Sequence, residues 1–268
     1  MSVFQPDLLR GRVAFVAGGT SGINLGIAHA LAAHGAAISV MSRSEEKVAA
    51  AIADLARHGT PVSGQSGDVR TYAAAEAALR AVAETFGPPD IIVSGAAGNF
   101  VAPAAKLSAN AFKTVVDIDL LGTFNVLRAS YDVCRKPGTS MINISAGQST
   151  TAHWGQAHVS AAKAGVDMLT RSLAGEWGVE GIRVNAIVPG PIDGTEGMAR
   201  LAPTPEARRE IESRIALRRY GTRDEVANLA VFLASDAASY VTGAIMYCDG
   251  GSVLSGARGQ PAGFGGNE

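Results

Sequence analysis

The sequence predicts an α/β fold in which a doubly wound parallel sheet carries helices on both faces. Short β-branched or apolar runs alternate with alanine-rich helical stretches along nearly the whole chain. Continuously apolar strands of this kind belong to sheets buried on both sides. A glycine-rich turn, Ala17-Gly-Gly-Thr-Ser-Gly22-Ile-Asn-Leu-Gly26, joins the first apolar run to the first helix. In open α/β sheets that is the place where a helix N-terminus receives a pyrophosphate. With 268 residues, 47% of them hydrophobic, the chain can bury one sizeable core.

Taken in order, strands are expected at 13–16, 37–41, 61–65, 90–93, 141–144, 183–187 and 244–247. Helical patterns fall near 23–34, 44–58, 71–86, 109–134, 156–178 and 222–234. Crossovers between parallel strands are right-handed. No break in composition divides the chain, so one domain is expected over 1–255. Residues 189–205 are rich in Gly and Pro and lead into a charged helical piece ending at Arg219. Ligands bind beyond the carboxyl ends of the strands in such sheets, so 189–219 is expected to form a substrate lid. Residues 256–268 contain five glycines and little apolar content, and are expected to be a flexible tail.

Composition excludes several classes. Basic and acidic residues number 23 and 24, a net charge of −1, so no basic surplus drives nucleic-acid or membrane-surface binding. No apolar run is long enough to span a bilayer. Cys134 and Cys248 form no Cys-x-x-Cys pair, which argues against a thiolate metal cluster and for a reducing compartment. His153 and His158, five apart and without a carboxylate or cysteine motif, do not make a metal site. The first ten residues lack a signal-peptide pattern and the last three are not a Ser-Lys-Leu type address, so a cytoplasmic location is expected.

The second strand ends Met41-Ser42-Arg43, about 20 residues past the glycine turn, where an acidic residue would bind a ribose 2′-hydroxyl. No acid is present. Arg43 can pair instead with a 2′-phosphate, which favours NADPH over NADH. The plain alternative is a solvated arginine at a strand end.

Further along come Asp68-Val69, Ala96-Ala97-Gly98, Ser160-Ala-Ala-Lys163-Ala-Gly, Arg183-Val-Asn-Ala-Ile-Val-Pro189-Gly-Pro and Asp249-Gly-Gly251. With Gly18-x-x-x-Gly22, these resemble the short-chain dehydrogenase/reductase family over about residues 10–251. The resemblance implies a Rossmann-type sheet of seven parallel strands, usually in homotetramers, and an NADP(H) site. That site would draw on Gly18, Thr20, Ser21, Gly22 and Ile23 in the turn, then on Ser42 and Arg43, and on Asp68 and Val69. Ala96 and Gly98 would follow, then Lys163 at the nicotinamide ribose, then Pro189, Ile192 and Thr195.

The departures are as informative. The family's tyrosine slot, four residues before the lysine, holds Val159, and the partnering serine slot holds Ala146. Alternative tyrosine slots of related reductases, seven and fifteen residues before the lysine, hold Gln156 and Gln148. The tyrosines present, at 72, 131, 220, 240 and 247, lie elsewhere. Asp119 replaces the family's catalytic asparagine, and Asn24 its third turn glycine. Within the family, this set of absences resembles the peroxisomal-type 2,4-dienoyl-CoA reductases. Ala96-Ala-Gly-Asn-Phe100, Asp117-Ile-Asp119, Gln156-x-His158, Val166-Asp167 and Pro189-Gly-Pro-Ile-x-Gly-Thr195-Glu-Gly carry the likeness.

The implied reaction, part of unsaturated fatty acid β-oxidation, reduces a conjugated dienoyl thioester to a 3-enoyl thioester. Hydride adds at the far end of the conjugated system, charge moves to the thioester oxygen, and a proton goes to carbon. No phenol poised over a carbonyl carbon is needed. Val159, Lys163 and Asp167 fall on one helical face. Asp167 can share a water with Lys163 and deliver the proton, with Asp119 acting on it as a neighbouring like charge. The alternative for Asp167 is a plain i,i+4 ion pair with Lys163. Asn99 and Phe100 would meet the thioester oxygen and the acyl chain, or only pack their loop. Arg70 and Arg200 match positions that contact the acyl-CoA substrate, whose phosphates suit arginine. His158 as the acid stands as a minor alternative. Two rival functions remain open: reduction of another conjugated enoyl or carbonyl substrate, and NADP(H) binding without catalysis.

Overall fold

All five residues of β1, Val13–Ala17, are buried, as befits a strand covered on both faces. The structure, a computed structural model, describes residues 3–254; the tail expected at 256–268 lies outside them. The other strands are β2 (Ala37–Ser42), β3 (Val62–Ser66), β4 (Ile91–Ser94), β5 (Ser140–Ile144), β6 (Arg183–Pro189) and β7 (Ile245–Cys248). They form one parallel sheet in the order β3-β2-β1-β4-β5-β6-β7. The strand order reverses between β1 and β4, which opens a crevice there at the carboxyl ends.

Successive side chains of each strand serve opposite layers. Val16 and Val40 pack under α1 (Gly22–Ala33), α2 (Glu45–Leu55) and α9 (Arg223–Ala234), against Ile27, Leu31, Val48 and Val226. Phe15 and Met41 face α3 (Tyr72–Phe86), α5 (Gly122–Val133) and α6 (Ala157–Trp177), meeting Leu79, Val126, Leu127 and Leu173. Each such fully buried side chain contributes about 1.5–3 kcal/mol relative to exposure.

Two helical expectations are refined. The stretch expected as one helix over 109–134 is α4 (Ala109–Val116), a π-helical segment Asp117–Leu121, and α5. The stretch 44–58 ends in a 3-10 turn at Ala56–His58. Residues 189–219 include α7 (Glu196–Leu201) and α8 (Pro205–Arg214), each started by a threonine whose hydroxyl accepts a backbone N–H. Among the described residues, no helix is long and apolar enough to cross a membrane.

The start of α9 supplies a pH prediction. Thr222 and Glu225 form a reciprocal capping box, and Arg219 adds contacts of 2.6 and 3.0 Å to the Glu225 carboxylate. These bonds, Arg219's first, pull the Glu225 carboxyl from 4.5 down to about 2. A carboxyl depressed in the folded state stabilises it above the unfolded pKa, and that stabilisation disappears as pH falls through the folded value. Wild type is therefore expected to exceed Glu225→Gln in stability at pH 7, with the difference vanishing between about pH 4.5 and 2. Denaturant midpoints across that range check it; a pH-independent difference would refute it. Because Glu225 is partly exposed, the effect should be small.

Candidate active site

The crevice begins at the turn after β1. Gly18 adopts φ +77°, and a Cβ there would lie 2.9 Å from the Ala96 nitrogen, so only glycine lets the turn lie against the loop after β4. Ser21 precedes α1 without capping it through its side chain, and the first turn of α1 carries no acidic residue. The leading N–H groups of α1 are thus left for an anion. Asn24, in the third glycine slot, is buried and donates from Nδ2 to the Gly95 carbonyl at 2.7 Å. Its carboxamide occupies the space a Cβ at residue 95 would need. Thr20 and Ile23 sit in and after the turn, and Gly98 begins the way out of β4. These features fit a dinucleotide.

At the outer end of the crevice, Ser42 closes β2 and Arg43 follows it, exposed and without an ion-pair partner among the described residues. Val69 is buried and its carbonyl accepts from Asn125 Nδ2 at 2.9 Å, which ties the Asp68-Val69 loop to α5. Arg70 is engaged with Asp68, its Nε lying 3.0 and 3.1 Å from the two carboxylate oxygens. Those bonds, helped by the charge of Arg43, hold Asp68 below the usual carboxylate range. Arg70 is thus paired with Asp68, and Arg200, exposed on α7, pairs with Glu196.

The centre is built by α6. Lys163 is buried, donates to the Ile144 carbonyl at 2.9 Å, and stands 3.2 Å from Asp119 Oδ2. Asp119 is 1% exposed, and its Oδ1 accepts from the Gly98 N–H at 2.7 Å. The π segment widens the helix there and sets this carboxylate inward, a device common at functional sites. The alternative of a Lys163–Asp167 ion pair is corrected: the partner is Asp119, whose charge Lys163 balances. Asp167, one turn on, is buried with Oδ1 unpartnered. Bonds from Lys163 to Ile144 and from Asn143 Nδ2 to Thr170 Oγ1 (2.9 Å) hold α6 over β5 on either side of it. Asn143 Oδ1 and Ser145 Oγ are likewise buried and unpartnered. Groups of this kind take water. Ser145 escaped sequence reasoning because the family slot is its neighbour, Ala146. Val159 packs with Val115 and Ala162 in an apolar wall where a phenol would stand.

The first turn of α6 holds the strand-four loop. His158 donates from Nε2 to the Phe100 carbonyl at 3.1 Å, and the rings stack with centroids 4.3 Å apart. The imidazole is fully buried, tied to the loop through Nε2 and with Nδ1 unpartnered. Gln156 donates from Nε2 to Asn99 Oδ1 at 3.1 Å and accepts from Gln148 Nε2 at 2.6 Å. Across the crevice, Pro189 ends β6, Ile192 is buried, and Thr195 Oγ1 donates to the Ile192 carbonyl at 2.8 Å. Arg208 joins α8 to Asp193 at 2.9 Å and lies over the Tyr220 ring at 4.4 Å. A cavity of about 390 Å³ lies between Asp193, Thr195, Met198, Ala202, Arg208 and Tyr220. Among the described residues, no group of three or more His, Cys, Asp or Glu side chains could hold a metal ion.

A parallel doubly wound sheet, a glycine turn at its switch point and a helix-borne lysine beside β5 define a dinucleotide-dependent oxidoreductase. Residues 17–253 match the family model described as enoyl-(acyl carrier protein) reductase, and the chain belongs to the short-chain dehydrogenase/reductase family. It is 43% identical, over 97% of its length and 90% of the relative's, to a peroxisomal 2,4-dienoyl-CoA reductase [(3E)-enoyl-CoA-producing] of Arabidopsis thaliana. A protein of the same description from Pongo abelii is 45% identical over 94% of this chain and 87% of its own. Among solved structures, a gluconate 5-dehydrogenase from Burkholderia cenocepacia in complex with NADP and tartrate superposes with a TM-score of 0.85 at 30% identity, covering 92% of this chain and 98% of that one.

Proposed function

We propose that this chain reduces 2,4-dienoyl-CoA thioesters to 3-enoyl-CoA with NADPH. The carrying observation is the set on α6: an apolar Val159 in the tyrosine slot, with Lys163 bound to buried Asp119 and Asp167 buried and unpartnered one turn further. Such a site lacks the phenol that would protonate a carbonyl oxygen. It retains a buried acid that can move a proton to carbon. The likeness to relatives named for this reaction supports the same reading.

NADPH held in the crevice supplies the hydride. Gly18, Gly22 and the uncapped start of α1 receive its pyrophosphate, and Ala96 and Gly98 border its further half. Lys163, fixed by Asp119 and Ile144, holds the nicotinamide ribose. Asn99 donates to the thioester oxygen as charge builds there, and Phe100 packs the acyl chain. Asp167 holds a water and passes a proton through it to carbon. Residues 189–219 close over the acyl chain as a lid, with Arg200 and Arg70 at the phosphates of the coenzyme. A homotetramer accords with exposed apolar side chains along α4 to α6, at Phe112, Leu121, Phe124 and Met168. Free thiols at Cys134 and Cys248 accord with a reducing, cytoplasmic setting.

The deciding experiment follows NADPH consumption with a medium-chain trans,trans-2,4-dienoyl-CoA beside a 3-oxoacyl-CoA control, and locates the product's double bond by NMR. Turnover to a 3-enoyl product is expected. Turnover of the control alone would overturn the reading, and NADPH binding without any turnover would favour a non-catalytic role. Arg43→Asp is expected to reverse the NADPH over NADH preference. Loss of a charge-assisted contact worth about 1.5–3 kcal/mol corresponds to a change of roughly tenfold or more in the ratio of kcat/KM values. An unchanged ratio would remove Arg43 from the 2′-phosphate site.

A further inference from the structure

Gln156 stands at the N-cap of α6 yet caps nothing with its side chain. A residue there ordinarily accepts a free helix N–H, whereas Gln156, only 4% exposed, uses both ends of its carboxamide sideways. In each of these bonds an amide nitrogen donates to an amide oxygen. Gln148 Nε2 donates to Gln156 Oε1 at 2.6 Å. Gln156 then presents its amino group to Asn99 Oδ1, at 3.1 Å. The Asn99 acceptor is thereby occupied, and its own amino group is left at the exposed end of the chain without a protein partner. The neighbouring His158–Phe100 bond keeps the loop from carrying Asn99 away.

We infer that Gln156 is a positioning residue, which fixes Asn99 with its amino group turned toward the thioester oxygen of the substrate. This rests on the function proposed above, in which that oxygen gathers negative charge. A polar relay also polarises its last donor, and a preset donor at a developing oxyanion is worth about 10²–10³ in rate. It gives the glutamine in an alternative tyrosine slot a task of its own: orienting a neighbour's donor.

The test is Gln156→Glu. A carboxylate only accepts, so Asn99 turns its amino group inward and shows its oxygen to the thioester. At neutral pH kcat is expected to fall about 10²-fold while the NADPH dissociation constant stays unchanged. On acidification the introduced carboxyl, whose ordinary pKa of about 4.3 burial raises, protonates and donates to Asn99 again. The ratio of variant to wild-type kcat should therefore climb as pH drops, whereas Gln156→Ala stays low throughout. A ratio that does not move with pH would overturn the inference. If Gln156→Glu fails to fold, Gln156→Met in wild-type and Asn99→Ala backgrounds replaces it. No further loss of kcat in the second background supports the relay, and additive losses overturn it. A wild-type chain that reduces no dienoyl-CoA overturns the proposed function separately. The Asn99 amino protons in a side-chain 1H–15N spectrum then decide for Gln156. A downfield shift on adding hexanoyl-CoA, lost in Gln156→Met, supports the inference; absence of a shift overturns it.

Discussion

Lys163→Ala is expected to lose cofactor use, turnover and a substantial part of the chain's stability together. The ammonium is the charge partner of Asp119, which is 1% exposed and otherwise held through Oδ1 by the Gly98 N–H. Removing one partner of a buried pair leaves an uncompensated charge, at a cost of about 3–5 kcal/mol. The same truncation frees the Ile144 carbonyl and the ribose that Lys163 is proposed to position, and misplacement on this scale costs about 10²-fold or more in rate. A companion separates the two losses. Lys163→Met with Asp119→Asn removes both charges and keeps an acceptor for Gly98, so stability should largely return while turnover does not. Guanidinium unfolding midpoints, NADPH fluorescence titration and steady-state rates read the three quantities. Wild-type NADPH affinity in Lys163→Ala would remove the lysine from the cofactor site.

Asp167→Asn is expected to lower kcat by about 10²–10⁴-fold, the usual contribution of a positioned acid or base, with the NADPH dissociation constant unchanged. The substitution preserves shape, and Asp167 Oδ1 has no partner in the protein to lose, so the unfolding midpoint should move little. The comparison with Lys163→Ala is what assigns the roles. One variant should affect binding, rate and stability together, the other rate alone. Wild-type turnover in Asp167→Asn would take this carboxylate out of the mechanism. It would leave Lys163, Asp119 and His158 as the buried titratable groups at the centre.

Much of the scaffold is legible in local sequence because it depends on local sequence. Val13–Ala17 and residues 91–93 are unbroken apolar runs, as a strand covered on both faces uses. Gly18 and Gly22 announce a tight turn before a helix, and the structure puts both at positive φ. The candidate site is legible to the extent that it lies on one element: Val159, Lys163 and Asp167 share a face of α6 by helical periodicity alone, and all three are buried.

What lies between elements was not legible. Helical spacing makes Asp167 the natural partner of Lys163, but the ammonium goes to Asp119, more than forty residues away in sequence, where the π segment sets that carboxylate inward. Arg70 could be assigned to phosphates by residue type, yet its commitment to Asp68 depends on the turn the loop makes. Gln156 was conspicuous only as the occupant of a slot that lacks tyrosine; its bonds to Gln148 and Asn99 join the loop after β5 to the loop after β4. Residue type and periodicity thus determined the class of fold, the glycine turn and the face of α6. Tertiary structure alone decided which buried charge meets which, and which way each carboxamide points. Those outcomes depend on distances and desolvation between segments remote in the chain, which no local pattern encodes.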